Sequence, residues 1–100
     1  MTVDTKAVAK VYIPTSLRRM TGGGALVEVE AHTVEEAVSG LLERFSALNP
    51  LLVEDNGRLR RFVNVYLNGV DIFTLEGEHT QIGEGDELAL IPAVAGGGLA

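Results

Sequence analysis

The sequence predicts an α+β domain in which one main helix packs across a mixed sheet of four to five strands. Three observations carry this reading. Apolar and polar residues alternate in short runs near the start, in the second half and near the end of the chain. One segment, from Thr33 to Leu48, switches to helical spacing behind its own start signal. Proline, glycine and Asn-Gly signals separate these segments.

The first run places Ala9, Val11 and Ile13 on one face and Lys10 and Tyr12 on the other, the two-residue period of a half-buried strand that Pro14 closes. After a polar loop containing Gly22, Gly23 and Gly24, Ala25 to Ala31 alternates again, with Val27 and Val29 against Glu28 and Glu30, so a hairpin with a flexible loop is expected. The three glycines are read as loop and not as a phosphate cradle, because no Gly-Lys-Ser/Thr follows and the next element is a strand. Thr33 with Glu36 three residues later forms a capping box, and Glu35 and Glu36 complement the positive end of a helix. Val34, Ala37, Val38, Leu41, Leu42, Phe45 and Leu48 then share one stripe. Gly40 inside it is expected to permit close approach to the sheet, and Asn49-Pro50 to end the helix. Leu51, Leu52 and Val53 add expected core contacts before an Asp55-Asn56-Gly57 turn.

From Arg61 to Leu67, Val63, Val65 and Leu67 face one way and Phe62, Asn64 and Tyr66 the other. Asn68-Gly69 signals a tight turn into a short return strand, Val70 to Phe73, followed by an irregular polar stretch from Thr74 to Thr80. A last strand, Glu87 to Ile91, follows the turn at Gly83-Glu84-Gly85-Asp86 and is expected to stop at Pro92. A hairpin, helix, strand, short strand and strand, with the first and last strands parallel at the centre, is the β-grasp (ubiquitin-like) order. The expected domain spans residues 1–92, and residues 93–100 form a flexible glycine-rich tail.

One hundred residues, 46% of them hydrophobic, suffice for one small core, and no apolar run approaches the roughly 18 residues of a membrane span. No membrane partner is therefore expected, and a cytoplasmic location is the default because Met1 to Lys10 lacks the apolar core of a secretory signal. With no cysteine, disulfides, thiolate metal sites and cysteine nucleophiles are excluded. A net charge of -6 disfavours nucleic acid, and Arg58, Arg60 and Arg61 read as solvated strand flanks. His32 and His79 lack second ligands at metal-binding spacing, and Ser16, Ser39 and Ser46 lack a nucleophile elbow, so no metal site and no catalytic residue is expected. An enzyme is not the expected reading.

Chemistry is expected instead at the tail, Pro92-Ala93-Val94-Ala95-Gly96-Gly97-Gly98-Leu99-Ala100. Two glycines without Cβ atoms can thread a narrow channel and carry a carboxylate to a nucleotide phosphate, where it becomes an acyl donor as a mixed anhydride with AMP.

The stretch from Gly85 to Gly97 resembles the C-terminal signature of the MoaD and ThiS sulfur carriers, in which the last strand runs through proline into Gly-Gly. Arg61-Phe62-Val63-Asn64-Val65-Tyr66-Leu67-Asn68 is similar to the third strand of the CysO branch of that family, and Ile13-Pro14-Thr15-x-Leu17-Arg18 to its first strand and loop. The resemblance covers about Val11 to Gly97. It implies a carrier substrate of a ThiF/MoeB-type adenylating enzyme that uses ATP, with no cofactor held by the carrier itself. It places the adenylation and thiocarboxylate site at Gly97 and the threading segment at Val94, Ala95 and Gly96, with sulfur passed to a biosynthetic enzyme.

The sequence departs from that pattern at Gly98, Leu99 and Ala100, which continue past the glycine pair. The resemblance implies their removal by a JAMM-type zinc metalloprotease; an alternative register ends at Gly98. Phe62 and Tyr66, on the sheet face opposite the helix, are the expected docking residues for the activating enzyme. Three alternatives stay open: a ubiquitin-like modifier joined to lysines, a molybdopterin-synthase small subunit, and a β-grasp interaction subunit with an incidental tail.

Overall fold

Alternation at the start of the chain does produce the first hairpin. In the computed structural model, which describes residues 7–92, β1 (Ala7–Tyr12) pairs antiparallel with β2 (Leu26–Ala31), and Ala9, Val11, Val27 and Val29 turn inward. The connection is more ordered than the sequence foretold. Thr15–Thr21 forms a 3-10 turn that buries Leu17 and Thr21, whose Oγ1 donates to the Arg18 carbonyl at 3.1 Å.

Helix α1 (Val34–Arg44) begins at the capping box: Thr33 Oγ1 accepts from the Glu36 N–H at 3.2 Å, and Glu36 Oε1 accepts from the His32 N–H at 2.8 Å. Its first turn is tied to the segment ahead of the last strand, with the Val34 N–H donating to the Thr80 carbonyl and the Ile82 N–H to the His32 carbonyl. Val34, Ala37, Val38 and Leu41 form the buried stripe, while Leu42 and Phe45 are only partly covered.

Two expectations for this helix are corrected. It ends at Arg44 and not at Leu48; Ser46–Leu48 is a 3-10 turn leading into α2 (Asn49–Leu52). Pro50 falls in the first turn of α2, where a missing N–H breaks no helical bond, so it begins a helix where a stop was expected. The change of direction still buries Leu48 and Leu52 completely. Gly40 does not approach the sheet: a Cβ there would meet nothing within 4 Å, and the residue lines a surface hollow with Glu30, Ser39 and Glu43.

β3 (Val63–Leu67) turns into β4 (Val70–Asp71) through Asn68 and Gly69, both at positive φ (51° and 85°), the geometry of a type I′ hairpin turn. β4 is shorter than expected, because Asp71 caps a 3-10 turn over Ile72–Thr74 by accepting from the Phe73 N–H at 2.9 Å. This places Ile72 fully in the core.

β5 (Glu87–Pro92) lies at the centre of the sheet, in the order β2-β1-β5-β3-β4, parallel to β1 and antiparallel to β3. Pro92 does not precede the strand's end but forms its last rung, opposite Val63, beyond the point where β1 still pairs. Leu88 and Leu90 face the helix with Val63, Val65 and Leu67. No helix among the described residues is long and apolar enough to cross a membrane.

Candidate docking face and tail root

One sheet face carries α1, and the other is bare among the described residues. Register places Leu26 opposite Tyr12, Tyr12 opposite Ala89, and Ala89 opposite Tyr66, so four side chains form one row across β2, β1, β5 and β3. With neighbouring strands about 4.8 Å apart, that row runs roughly 14 Å. Ile91, next along β5, lies opposite Asn64. Leu26 is 51% exposed, Phe62 44%, Ile91 42% and Tyr12 38%, whereas Tyr66 is half-buried. A shallow hollow of about 280 Å³ opens between Tyr12, Tyr66, Ala89 and Ile91. A contiguous apolar strip on a small protein marks an interaction surface more often than a scattered residue does.

Of the two residues expected at this face, Tyr66 shares it with Tyr12, Leu26 and Ile91, whereas Phe62 is exposed in the turn just ahead of β3, outside the paired strand. Sequence reasoning put Tyr12 on the polar side of its strand and gave no role to any of these three. Their alternation parity was readable, but their alignment needed the order and register of non-adjacent strands.

Arg18 fixes one end of the strip. Its Nε donates to the Ile13 carbonyl at 3.0 Å and its Nη2 to the Tyr12 hydroxyl at 3.2 Å, while the guanidinium stands 5.6 Å from the Tyr12 ring centroid. Tyr12 is therefore held against the sheet by a side chain from the loop that follows it.

The strip reaches the root of the tail at Ile91, whose chain neighbour Pro92, the last described residue, pairs with the inward-facing Val63. Val94, Ala95, Gly96 and Gly97, and the Gly98, Leu99 and Ala100 that follow, lie outside the described residues.

Arg58, Arg60 and Arg61 do not form one patch. Arg58 lines a groove with Glu35, Phe73 and His79, Arg60 donates from Nε to the Pro50 carbonyl at 2.8 Å, and Arg61 points to solvent beside Phe62. His32 sits with Nδ1 3.4 Å from Glu36 Oε1, and no group of three or more His, Cys, Asp or Glu placed to hold a metal ion occurs among the described residues.

A five-stranded mixed sheet with one crossing helix and one bare apolar face defines a ubiquitin-like β-grasp domain. The chain belongs to the ThiS family, whose model matches residues 11–97. It is 39% identical over 89 residues to the sulfur carrier protein CysO of Mycobacterium tuberculosis, covering 87% of this chain and 96% of that protein. A chain in the crystal structure of the Amycolatopsis orientalis BexX/CysO complex is 39% identical and superposes with a TM-score of 0.79, over 89% of this chain and 99% of that one. The small archaeal modifier protein 1 of Methanosarcina acetivorans is 26% identical with a TM-score of 0.83, over 92% and 98%. The relatives therefore include sulfur carriers, which are small carrier proteins and not catalysts, and a ubiquitin-like modifier.

Proposed function

We infer that this chain is a sulfur carrier whose working group is the carboxylate of Gly97, made available when Gly98, Leu99 and Ala100 are removed. One observation supports this most: a bare apolar strip leads directly to the strand end from which the Gly-Gly segment departs, in a chain 39% identical to CysO. Residues 1–92 are the docking body and 93–100 the functional segment. A ThiF/MoeB-type enzyme binds the strip through Phe62 and Tyr66, while Val94, Ala95 and Gly96 lead Gly97 to bound ATP. The carboxylate oxygen attacks the α-phosphorus and pyrophosphate leaves. Hydrosulfide then attacks the carbonyl, AMP leaves with the C–O electron pair, and loss of the sulfur-bound proton leaves the thiocarboxylate. A JAMM-type metalloprotease exposes Gly97, and a biosynthetic enzyme accepts the sulfur. ATP belongs to the activating enzyme, and the setting is the cytoplasm.

The likeness to a small archaeal modifier favours one second reading, in which the same acyl adenylate is taken by a lysine amine. The outcome is then an amide to another protein.

The experiment is ATP–pyrophosphate exchange by the cognate adenylating enzyme on the chain ending at Gly97. Exchange is expected with the wild type. Because Phe62 is 44% exposed and lies outside the core cluster, Phe62→Ala should raise the half-saturating carrier concentration roughly tenfold while unfolding shifts by less than about 0.5 kcal/mol. Equal activation of both chains at limiting enzyme would remove Phe62 from the docking face.

A further inference from the structure

This chain is acidic, with eight Lys and Arg against 14 Asp and Glu, so its arginines should find carboxylates easily. Among the described residues none of them has a carboxylate within 4.0 Å, and three of them gather at one end of the sheet. The parallel pairing of β1 and β5 brings the loop after β1, with Arg18 and Arg19, to the end where β5 runs out at Pro92. The antiparallel pairing of β3 with β5 brings Arg61 to the same end, two residues ahead of the Val63 that faces Pro92. Among the described residues, none of Arg18, Arg19 and Arg61 has a carboxylate within 4.0 Å, and Arg19 and Arg61, both exposed, make no hydrogen bond either. Arg60 is set apart: its Nε is engaged by Pro50, and it shares a hollow with Glu54 and Asp55.

The opposite end is acidic. Glu84, Asp86 and Glu87 gather where β5 begins, with Glu84 Oε1 accepting from the Val8 N–H and Asp86 Oδ1 from Asn68 Nδ2. Asp71, Glu76 and Glu78 follow the β3–β4 turn at that end.

We propose that Arg18, Arg19 and Arg61 form a cationic collar at the root of the tail that docks on an acidic rim around the tail-entry channel of the activating enzyme. The proposal rests on the carrier reading above and adds the chemistry of the partner's surface. Guanidinium groups that have no carboxylate beside them cost little in water and gain when a partner supplies carboxylates in bidentate geometry. The separation of charge along the molecule also orients it: near an acidic rim the collar is drawn in and the far end pushed out, so encounters occur tail first. Arg18 serves the strip as well, because it holds Tyr12 in place.

The test uses the chain ending at Gly97 and the adenylating enzyme that activates it in the exchange assay. Arg19→Glu with Arg61→Glu is compared with wild type and with Glu76→Lys, at about 0.05 M and about 0.5 M salt, between which screening rises from weak to strong. Both arginines are exposed and make no hydrogen bond or ion pair among the described residues, so the double variant should unfold at the wild-type denaturant midpoint. It should need about ten times more carrier for half-saturation at low salt, with the maximal rate unchanged, and the difference should shrink at high salt. Glu76→Lys should not raise the half-saturating concentration at either salt. Half-saturation of the double variant equal to wild type at low salt would overturn the collar while leaving the carrier reading intact. A penalty from Glu76→Lys as large as that of the double variant would also overturn it, by making net charge irrelevant to position. Absence of exchange with the wild type would overturn the carrier reading and the collar with it.

Discussion

A chain ending at Gly97 should be adenylated, and the chain in which Gly98, Leu99 and Ala100 remain should not. Adenylation needs a free carboxylate at the residue delivered to the α-phosphate, and while Gly98 is attached the Gly97 carbonyl is an amide. An activating enzyme that instead received the far end of the extension would have to accommodate three further residues, about 10 Å of extended chain, two of them with side chains in a path suited to glycine. Positioned acyl transfer loses about a hundredfold for an error near 1 Å, so the expected difference in exchange rate is at least about a hundredfold. Comparing chains that end at Gly97, Gly98 and Ala100 resolves the register. Exchange by the Gly98 chain alone would move the working residue by one position, and strong exchange by the 100-residue chain would show that the extension is no block.

The body of the domain should respond in the opposite pattern to substitution of two neighbours on β5. Leu90 is 1% exposed on the strand at the centre of the sheet, facing the helix opposite Val65, while Ile91 is 42% exposed on the bare face. Leu90→Ala should lower unfolding free energy by about 2–5 kcal/mol, the lost transfer energy plus an unfilled cavity. That is a large part of the roughly 5–15 kcal/mol typical of a domain. Ile91→Ala should cost less than about 1 kcal/mol. Urea unfolding with an unchanged slope reads both as midpoint shifts. Similar shifts for the two would mean that the bare face is packed in solution.

The two faces of β1, β2, β3 and β5 were legible because alternation needs no long-range information: Val63, Val65 and Leu67 turned inward and Phe62 and Tyr66 did not. The capping box at Thr33 and the Asn68-Gly69 turn were legible for the same reason, since their chemistry is local. Pro50 was misread because proline is compatible with either side of a helix boundary, and only the position of Leu48 in the core decides which. Gly40 was misread because a glycine on a buried-stripe spacing and one beside the stripe differ by a fraction of a turn. The docking strip was half legible. Phe62 and Tyr66 came from one run of alternation, but joining Tyr66 to Tyr12, Leu26 and Ile91 required the parallel pairing of β1 with β5 across most of the chain. That pairing, with the antiparallel pairing of β3 and β5, places Arg18, Arg19 and Arg61 at one end of the sheet, whereas sequence proximity grouped Arg61 with Arg58 and Arg60.

The intact mass of the protein isolated from its own cells tests the central claim most directly, because it reports trimming and sulfur loading together. The expected species has lost Gly98, Leu99 and Ala100, and a fraction of it is heavier by about 16 mass units, the replacement of one carboxylate oxygen by sulfur after attack on an activated acyl group. A population that retains all three residues and never carries the added mass, in cells actively using the pathway, would contradict the account.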